Sequence, residues 1–510
     1  MRGRPLHPDP TVRVTRPWST ATGDTGPVDS PRGRGVAVDG AVQHQVLGQA
    51  VPTLVVDRQA VAAVKDRVAR QVTAFRKATP SVSAASVEQR ARGWINEAVA
   101  EWSDAAAAER GVSPTPAEDA ALARSVFDEL FRAGRLQQHL DNPQVENVFI
   151  NGHDEVWLDL AGGRRERAEP VADSEEELLE LLRRLASADD GQSERTLTTA
   201  NPMLALRLAD GSRLQAVTEV SPRTYVTIRR HRVQDADLGD MVRLGMVSPT
   251  LAAFLAACVK AEKNVLIAGP QAAGKTSLMR AMLKEIDPDE RFATIETEHE
   301  LFAHANGFHR QVVAMEARES NGERGPDGRL VGEITLMDLM YRALRMSLSR
   351  IVVGEVRGPE IVAMLQAMTN GQGGNLCTLH AARPGVVFDR IAELYLLAQG
   401  NMSEHLAYRQ AANGLDFIVF VRMLDETKIG GQRHRFVSHV LEVTGTGEFG
   451  RPATNAIFTP GEEFGEVRAV PRMHPSCVND LRRAGFQDHL LNPGYDSWAG
   501  QPLALKVATP

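Results

Sequence analysis

Between Asn264 and Arg280 the chain reads NVLIAGPQAAGKTSLMR, and the residues able to do chemistry crowd its middle. Gly269, Pro270, Gln271, Ala272, Ala273, Gly274, Lys275 and Thr276 fit the spacing G-x-x-x-x-G-K-[ST], with Ser277 next in line. The two glycines let the backbone curl until its N–H groups face inward, toward phosphate oxygens. Lys275 can reach β- and γ-phosphates, and the Thr276 hydroxyl can sit on Mg²⁺. The apolar run Val265–Ala268 before the loop reads as a buried strand. Helix-forming residues from Ser277 to Ile286 place a helix N-terminus against the same anion.

Three further segments carry candidate chemistry. Ile351-Val-Val-Gly-Glu355 is an apolar strand ending in a carboxylate, which can hold Mg²⁺ or orient water, and Arg357 follows on the same side of an extended chain. Phe292-Ala-Thr-Ile-Glu296 ends the same way, with Glu298 and Glu300 following. If the chain stays extended, these three carboxylates share a side, and one can polarise a water. Asn370-Gly-Gln372-Gly-Gly374 leads into a strand on which Thr378 and His380 share a face. From these residues alone, His380 is as readily a satisfied core histidine as a sensor of phosphate.

Composition removes other classes. A net charge of -7 argues against a nucleic-acid-coating surface, though a local basic groove stays open. Cys258, Cys377 and Cys477 lie far apart with no C-x-x-C spacing, which fits a reducing compartment and offers no zinc site. No apolar run approaches the roughly 18 residues of a membrane span, and no signal peptide is visible. The expectation is a cytoplasmic protein that meets the membrane only through partners.

The elements that must position these residues fall into a series. Residues 1–50 are rich in Pro, Gly, Arg and Asp and are expected to be disordered. Residues 51–135 carry helical stripes: Val61, Val64, Val68, Val72 and Phe75; then Val87, Ala91, Trp94, Ala98 and Trp102; then Leu122, Val126 and Leu130 behind a Thr115–Glu118 capping box. Residues 136–233 read as an α+β domain, opening with a hairpin about Asn151-Gly-His-Asp154. A linker at 234–247 precedes an α/β P-loop domain at 248–445, and 446–510 form a C-terminal tail.

Taken together, these segments resemble the type II/IV secretion ATPase family, and its CpaF/TadA branch in particular. TIETEHEL resembles the acidic box, RALRMSLSRIVVGEVRG the Arg-rich helix and Walker B strand, and TNGQGGNLCTLHA the histidine box. VENVFINGHDEVWLD, LADGSRLQAV and TYVTIRR resemble its N-terminal domain. The likeness covers roughly residues 120–445 and implies a RecA-like P-loop ATPase domain that uses ATP and Mg²⁺. It implies that Gly269 to Ser277 bind nucleotide, that Thr276 and Glu355 hold the metal, and that Glu296 and Glu300 are acidic-box carboxylates, with Glu296 positioning water. It assigns His380 to the second histidine of the box. Arg213 and Arg229, with Arg207 as a third, approach the nucleotide from the N-terminal domain. A homo-oligomer, usually a hexamer, working on integral membrane platform proteins of a pilus or secretion system is the implied setting, at the inner face of the membrane.

Two positions depart from the pattern. Gln372 stands where the family usually has a histidine; it can hydrogen-bond phosphate but carries no charge. Met346-Ser-Leu-Ser-Arg350 lacks the Pro and Asp usual before the Walker B strand. Two other readings stay open: a P-loop scaffold that binds nucleotide without turnover, and a RecA-like nucleic-acid motor. The motor needs a basic track, against which the acidic balance counts.

Overall fold

The protein was analysed as a computed structural model. It describes residues 56–506 except 112, 188–196, 200, 231–234, 319, 321–324, 327–329, 372, 399–401, 462–464, 493–497 and 499–500. The segment expected to be disordered, and Gln372, therefore lie outside the described residues.

Three helices come first, because three apolar stripes need one another for cover: α1 (Arg58–Ala78), α2 (Ala84–Arg110) and α3 (Pro116–Phe131). Val64, Val68, Ile95, Val99, Leu122 and Val126 are buried where the stripes meet. Local chemistry sets the ends. Ser83 caps α2, Gly111 closes it at a φ of 70°, and α3 starts on the Thr115–Glu118 capping box with Pro116 in its first turn.

After the short α4 (Gln137–Asp141), alternating residues build a sheet. Its strands are β1 (Val145–Asn151), β2 (Val156–Leu160), β3 (Arg165–Ala168), β4 (Met203–Arg207), β5 (Arg213–Val217) and β6 (Tyr225–Arg229), in spatial order β3-β2-β1-β6-β5-β4. Every pairing in it is antiparallel. Helix α5 (Glu175–Ser187) supplies Leu178 and Leu182 to the core of one face, against Val148, Ile150, Leu206, Leu214 and Ile228. The other face carries Arg207, Arg213 and Arg229 alongside Met203, Gln215, Tyr225 and Thr227.

Next come α6 (Leu238–Arg243), α7 (Pro249–Lys260), β7 (Val265–Gly269), α8 (Lys275–Leu283), β8 (Phe292–Glu296), β9 (Val312–Glu316), α9 (Leu336–Ala343), β10 (Ile351–Val356), α10 (Glu360–Thr369), β11 (Leu376–His380), α11 (Val387–Leu396), α12 (Glu404–Gly414) and β12 (Phe417–Asp425). The chain then adds β13 (Arg433–Thr446), β14 (Pro452–Gly461), β15 (Glu466–Pro471) and α13 (Val478–Arg483). The strands form one sheet in the order β15-β14-β13-β12-β7-β11-β10-β8-β9. From β12 to β9 the pairings are parallel, and from β12 to β15 antiparallel. Helices cover both faces, so the central strands are buried along nearly their whole length and mostly apolar, as a doubly covered parallel sheet requires. One core holds Phe254, Leu278 and Val419, and the opposite one holds Leu266, Ile295, Val353 and Leu379. This is the mixed α/β P-loop architecture expected from the alternating strands and helices.

The structure gives two boundary segments more than connecting roles. Within 234–247, Leu238, Met241, Met246 and Val247 are buried in the α/β core. Within 446–510, β14 and β15 extend the sheet, and Phe458, Ala469 and Leu481 join the same core. Turn composition, rich in Pro and Gly, hid these two strands, of whose apolar residues Ile457, Phe458 and Ala469 are fully buried.

Candidate functional site

In an open parallel sheet, ligands bind beyond the carboxyl ends of the strands. Here those ends carry Gly269, Glu296, Glu355 and His380. Register brings two of the motifs into contact: His380 on β11 lies opposite Gly269 on β7.

The loop after β7 has the shape of a phosphate cradle. Gly269 has φ 156°, and a Cβ there would meet the Val421 carbonyl at 2.3 Å. Gly274 has φ 95° and opens α8, where a Cβ would lie 3.2 Å from Met246 Cε. Pro270, Gln271, Ala272 and Ala273 form the crown, and Thr276 and Ser277 are half-buried in the first turn of α8. The Lys275 ammonium is buried inside the curl and donates to the carbonyls of Gly269 at 3.2 Å and Pro270 at 3.1 Å. Burial pushes this ammonium down to about 8; Glu355 works against that shift, while the charges of Arg229 and Arg357 add to it.

His380 joins the loop to the acidic strand. Its Nδ1 is 3.2 Å from Lys275 Nζ, and its Nε2 is 2.6 Å from Glu355 Oε1. The ammonium can only donate, so the network assigns the ring proton to Nε2, directed at Glu355. Arg357 Nη2 donates to the other Glu355 oxygen at 2.5 Å. Burial resists ionisation of this carboxyl, but the hydrogen bonds from His380 and Arg357 outweigh it and hold the group at about 2. Thr378, on the same face of β11 as His380, is buried and donates to the Gly354 carbonyl at 2.7 Å. Of that pair, only His380 reaches the loop.

The acidic segment after β8 does not stay extended, so the expectation of three carboxylates on one side does not hold. The chain turns back, and Glu296 Oε2 accepts from the backbone of Glu300 and Leu301, each at 2.8 Å. Its other oxygen is 3.3 Å from His299 Nδ1. Glu296 is 2% exposed and is occupied with holding its own loop. The turn leaves Glu298 and Glu300 facing the N-terminal sheet. Both pair with Arg213: Glu298 with Nε, and Glu300 with Nη1 at 2.6 Å.

The N-terminal arginines form a single row. Arg207 is registered opposite Arg213, and Arg213 opposite Arg229, across β4, β5 and β6. With period-two alternation they share the face opposite the apolar core. Arg207 lies 3.7 Å from Glu316, at the end of β9. Arg229 is exposed and pairs with no carboxylate among the described residues; its charge is felt at both Lys275 and Arg280. The row therefore stands over the loop of its own chain.

These residues fit a nucleotide polyphosphate and Mg²⁺. The loop curls on two glycines whose packing leaves little room for a Cβ, and the lysine is held by carbonyls that a phosphate can replace. Thr276 and Glu355 are the hard oxygen donors Mg²⁺ takes. Gln372 lies outside the described residues.

Sequence reading missed several contributors. Arg280 on α8 is buried near Glu300 and Glu296, and burial lowers it to about 10. Arg435 on β13 donates to the Ala272 carbonyl at 2.9 Å. His299 was legible only as part of TIETEHEL. Arg280 follows Lys275 on α8 and its burial is set by packing, whereas no local pattern marks Arg435, which packing alone brings to the loop.

Residues 132–436 match the profile of the family described as "Type II/IV secretion system protein". The "Putative conjugal transfer protein Rv3659c" of Mycobacterium tuberculosis is 33% identical over 306 residues, covering 58% of this chain and 82% of that protein. The type IV secretion system protein VirB11 of Brucella suis is 28% identical over 317 residues, covering 57% and 83%. The crystal structure of the VirB11 ATPase from the Brucella suis type IV secretion system, in complex with sulphate, aligns at 26% identity with a TM-score of 0.31, over 60% of this chain and 92% of that one.

Proposed function

The chain belongs to the type II/IV secretion system protein family, and on that footing we propose that it is an ATPase that uses ATP and Mg²⁺ to drive a pilus or secretion apparatus. One observation carries the reading: Lys275, His380, Glu355 and Arg357 form a continuous chain of close polar contacts at the mouth of the P-loop, from Lys275 Nζ through the His380 ring to the Glu355 carboxylate and Arg357. Gly269 to Ser277 cradle the phosphates through backbone N–H groups, and Lys275 exchanges its carbonyl contacts for β- and γ-phosphate oxygens. Thr276 and Glu355 would hold Mg²⁺, which when bound would draw charge from those oxygens. Glu355 is a carboxylate at neutral pH and could accept a hydrogen bond from water, or itself ligate the metal, in place of its contact with Arg357. His380 reports the state of the phosphate to Glu355, because it contacts both Lys275 and that carboxylate. Glu300 releases Arg213 as phosphate competes for it, and Arg213 and Arg229 then offset the charge that develops on the transferred group. Glu296 acts through its loop, holding Glu300 in place.

The finer setting follows the motifs. We propose a CpaF/TadA-like motor of a Tad/Flp-type pilus or a related secretion machine. In this reading it assembles as a homo-oligomer, a hexamer by the family's pattern, on integral membrane platform proteins at the cytoplasmic face. Among the described residues, no helix is long and apolar enough to cross a membrane. The test is phosphate release by the purified chain. Lys275→Ala is expected to lose both binding and turnover, and Glu355→Gln to retain binding of labelled ATP while turnover falls by about a hundredfold or more. Normal hydrolysis by both variants would refute the assignment.

A further inference from the structure

Arg435 lies on β13, outside every segment that reads as a nucleotide motif, yet its side chain ends at the P-loop. Nε donates to the Ala272 carbonyl at 2.9 Å. Nη1 and Nη2 reach the Glu146 carboxylate on β1 at 3.4 and 3.2 Å. Its Cδ is 3.8 Å from where a Cβ on Gly274 would sit, so the stem also lines the turn.

Ala272 has a φ of 60°, a left-handed conformation that a residue with a Cβ keeps only where its surroundings hold it. The contact with Arg435 is such a hold. It also keeps the Ala272 carbonyl turned out of the cradle, where its negative end would face a phosphate oxygen. The fork of the guanidinium serves two acceptors at once, which a lysine ammonium on a single point does less well. Those acceptors lie in different domains: one on the P-loop crown, the other on the sheet that carries the arginine row. Arg433, two residues earlier on the same strand, pairs instead with Asp425 across the β12–β13 hairpin at 2.8 Å. The bridge is thus specific to position 435.

We propose that Arg435 is a positioning residue that ties the crown of the P-loop to the N-terminal sheet, so that the loop's readiness for phosphate depends on where that sheet sits. This rests on the nucleotide reading of the loop. Arg435 touches backbone and Glu146, and acts on the phosphate only through the loop it holds.

The test uses the full-length protein and two readouts. The first is hydrogen–deuterium exchange without nucleotide; the second is the Kd for a fluorescent ATP analogue. Arg435→Ala is expected to speed exchange in 270–277 and in 145–151, with no change in the α1–α3 core. Its Kd should rise by about tenfold, the loss of one charge-assisted contact. Glu146→Ala leaves Arg435 and its Ala272 acceptor in place, yet should also raise Kd severalfold, and the double variant should be no weaker than Arg435→Ala. Arg435→Lys should recover only part of the loss. Wild-type exchange at the loop in Arg435→Ala, or full affinity in Glu146→Ala, overturns the proposal. Should Arg435→Ala fail to fold, Arg435→Lys and Glu146→Ala decide by the same measures. A wild type that binds no nucleotide refutes the ATP reading, and the exchange data still decide the tie.

Discussion

Lys275 is a cation kept where water is scarce, and its environment sets a pH limit on its work. Burial lowers its ammonium to about 8, with Arg229 and Arg357 adding to the shift. Phosphate needs the charged form, so the free protein must take up a proton to bind once pH passes that value. Affinity for a fluorescent ATP analogue should therefore be level near pH 7 and fall above about 8, by up to about tenfold per pH unit. Glu355 stays ionised throughout that range, being held at about 2 by His380 and Arg357 against the effect of burial. A Kd constant from pH 7 to 9.5 would show that Lys275 does not supply the attraction.

At the scale of elements, the site depends on how tightly β7 abuts β12. The Gly269 Cα faces the Val421 carbonyl, and a Cβ would approach it to 2.3 Å, in a conformation with φ 156°. Neither backbone can retreat without breaking the β7–β12 pairing that runs from Phe417 to Phe420. Gly269→Ala should cost about 1–3 kcal/mol of stability, as overpacking does, and should weaken nucleotide binding with it. A melting temperature and Kd both equal to wild type would mean that the strand end is softer than its packing implies. The arginine row is a second product of element geometry. Residues 207, 213 and 229 are spread through sequence and become neighbours because two tight antiparallel pairings align them.

Across the whole molecule, charge of opposite sign meets at the seam between the two sheets. Arg213 faces Glu298 and Glu300, Arg207 faces Glu316, and Arg435 faces Glu146. These contacts tie the N-terminal sheet to the α/β domain of its own chain, and in the proposed reading nucleotide competes with them. Arg213→Ala and Arg229→Ala should each lower the hydrolysis rate much more than they weaken binding, since an arginine that completes such a site is worth about 10³–10⁵ in rate. If assembly adjusts this seam, wild-type activity per subunit should rise with protein concentration, and both variants should blunt that rise. The measurement is rate against concentration with mass followed in parallel. A monomer fully active at every concentration and indifferent to both substitutions would rule out a ring motor.

The sequence alone determined the parts whose chemistry is local. A curled loop with a lysine, a strand ending in Glu355, the helical stripes and the capping box each follow from spacing within one element, because backbone geometry turns spacing into direction. For His380 spacing gave a face but no neighbour; register sets that residue opposite Gly269 and within reach of Lys275. Glu296 shows the converse. Its place at a strand end was legible, but its oxygens are taken by the backbone of Glu300 and Leu301 once the chain turns back. Arg435 had no signal at all. It arrives at Ala272 across 163 positions of sequence, on an antiparallel strand added beside the parallel sheet. Contacts of that kind depend on which strands pair, and pairing is decided by the burial of whole faces, a property that no short stretch of residues contains.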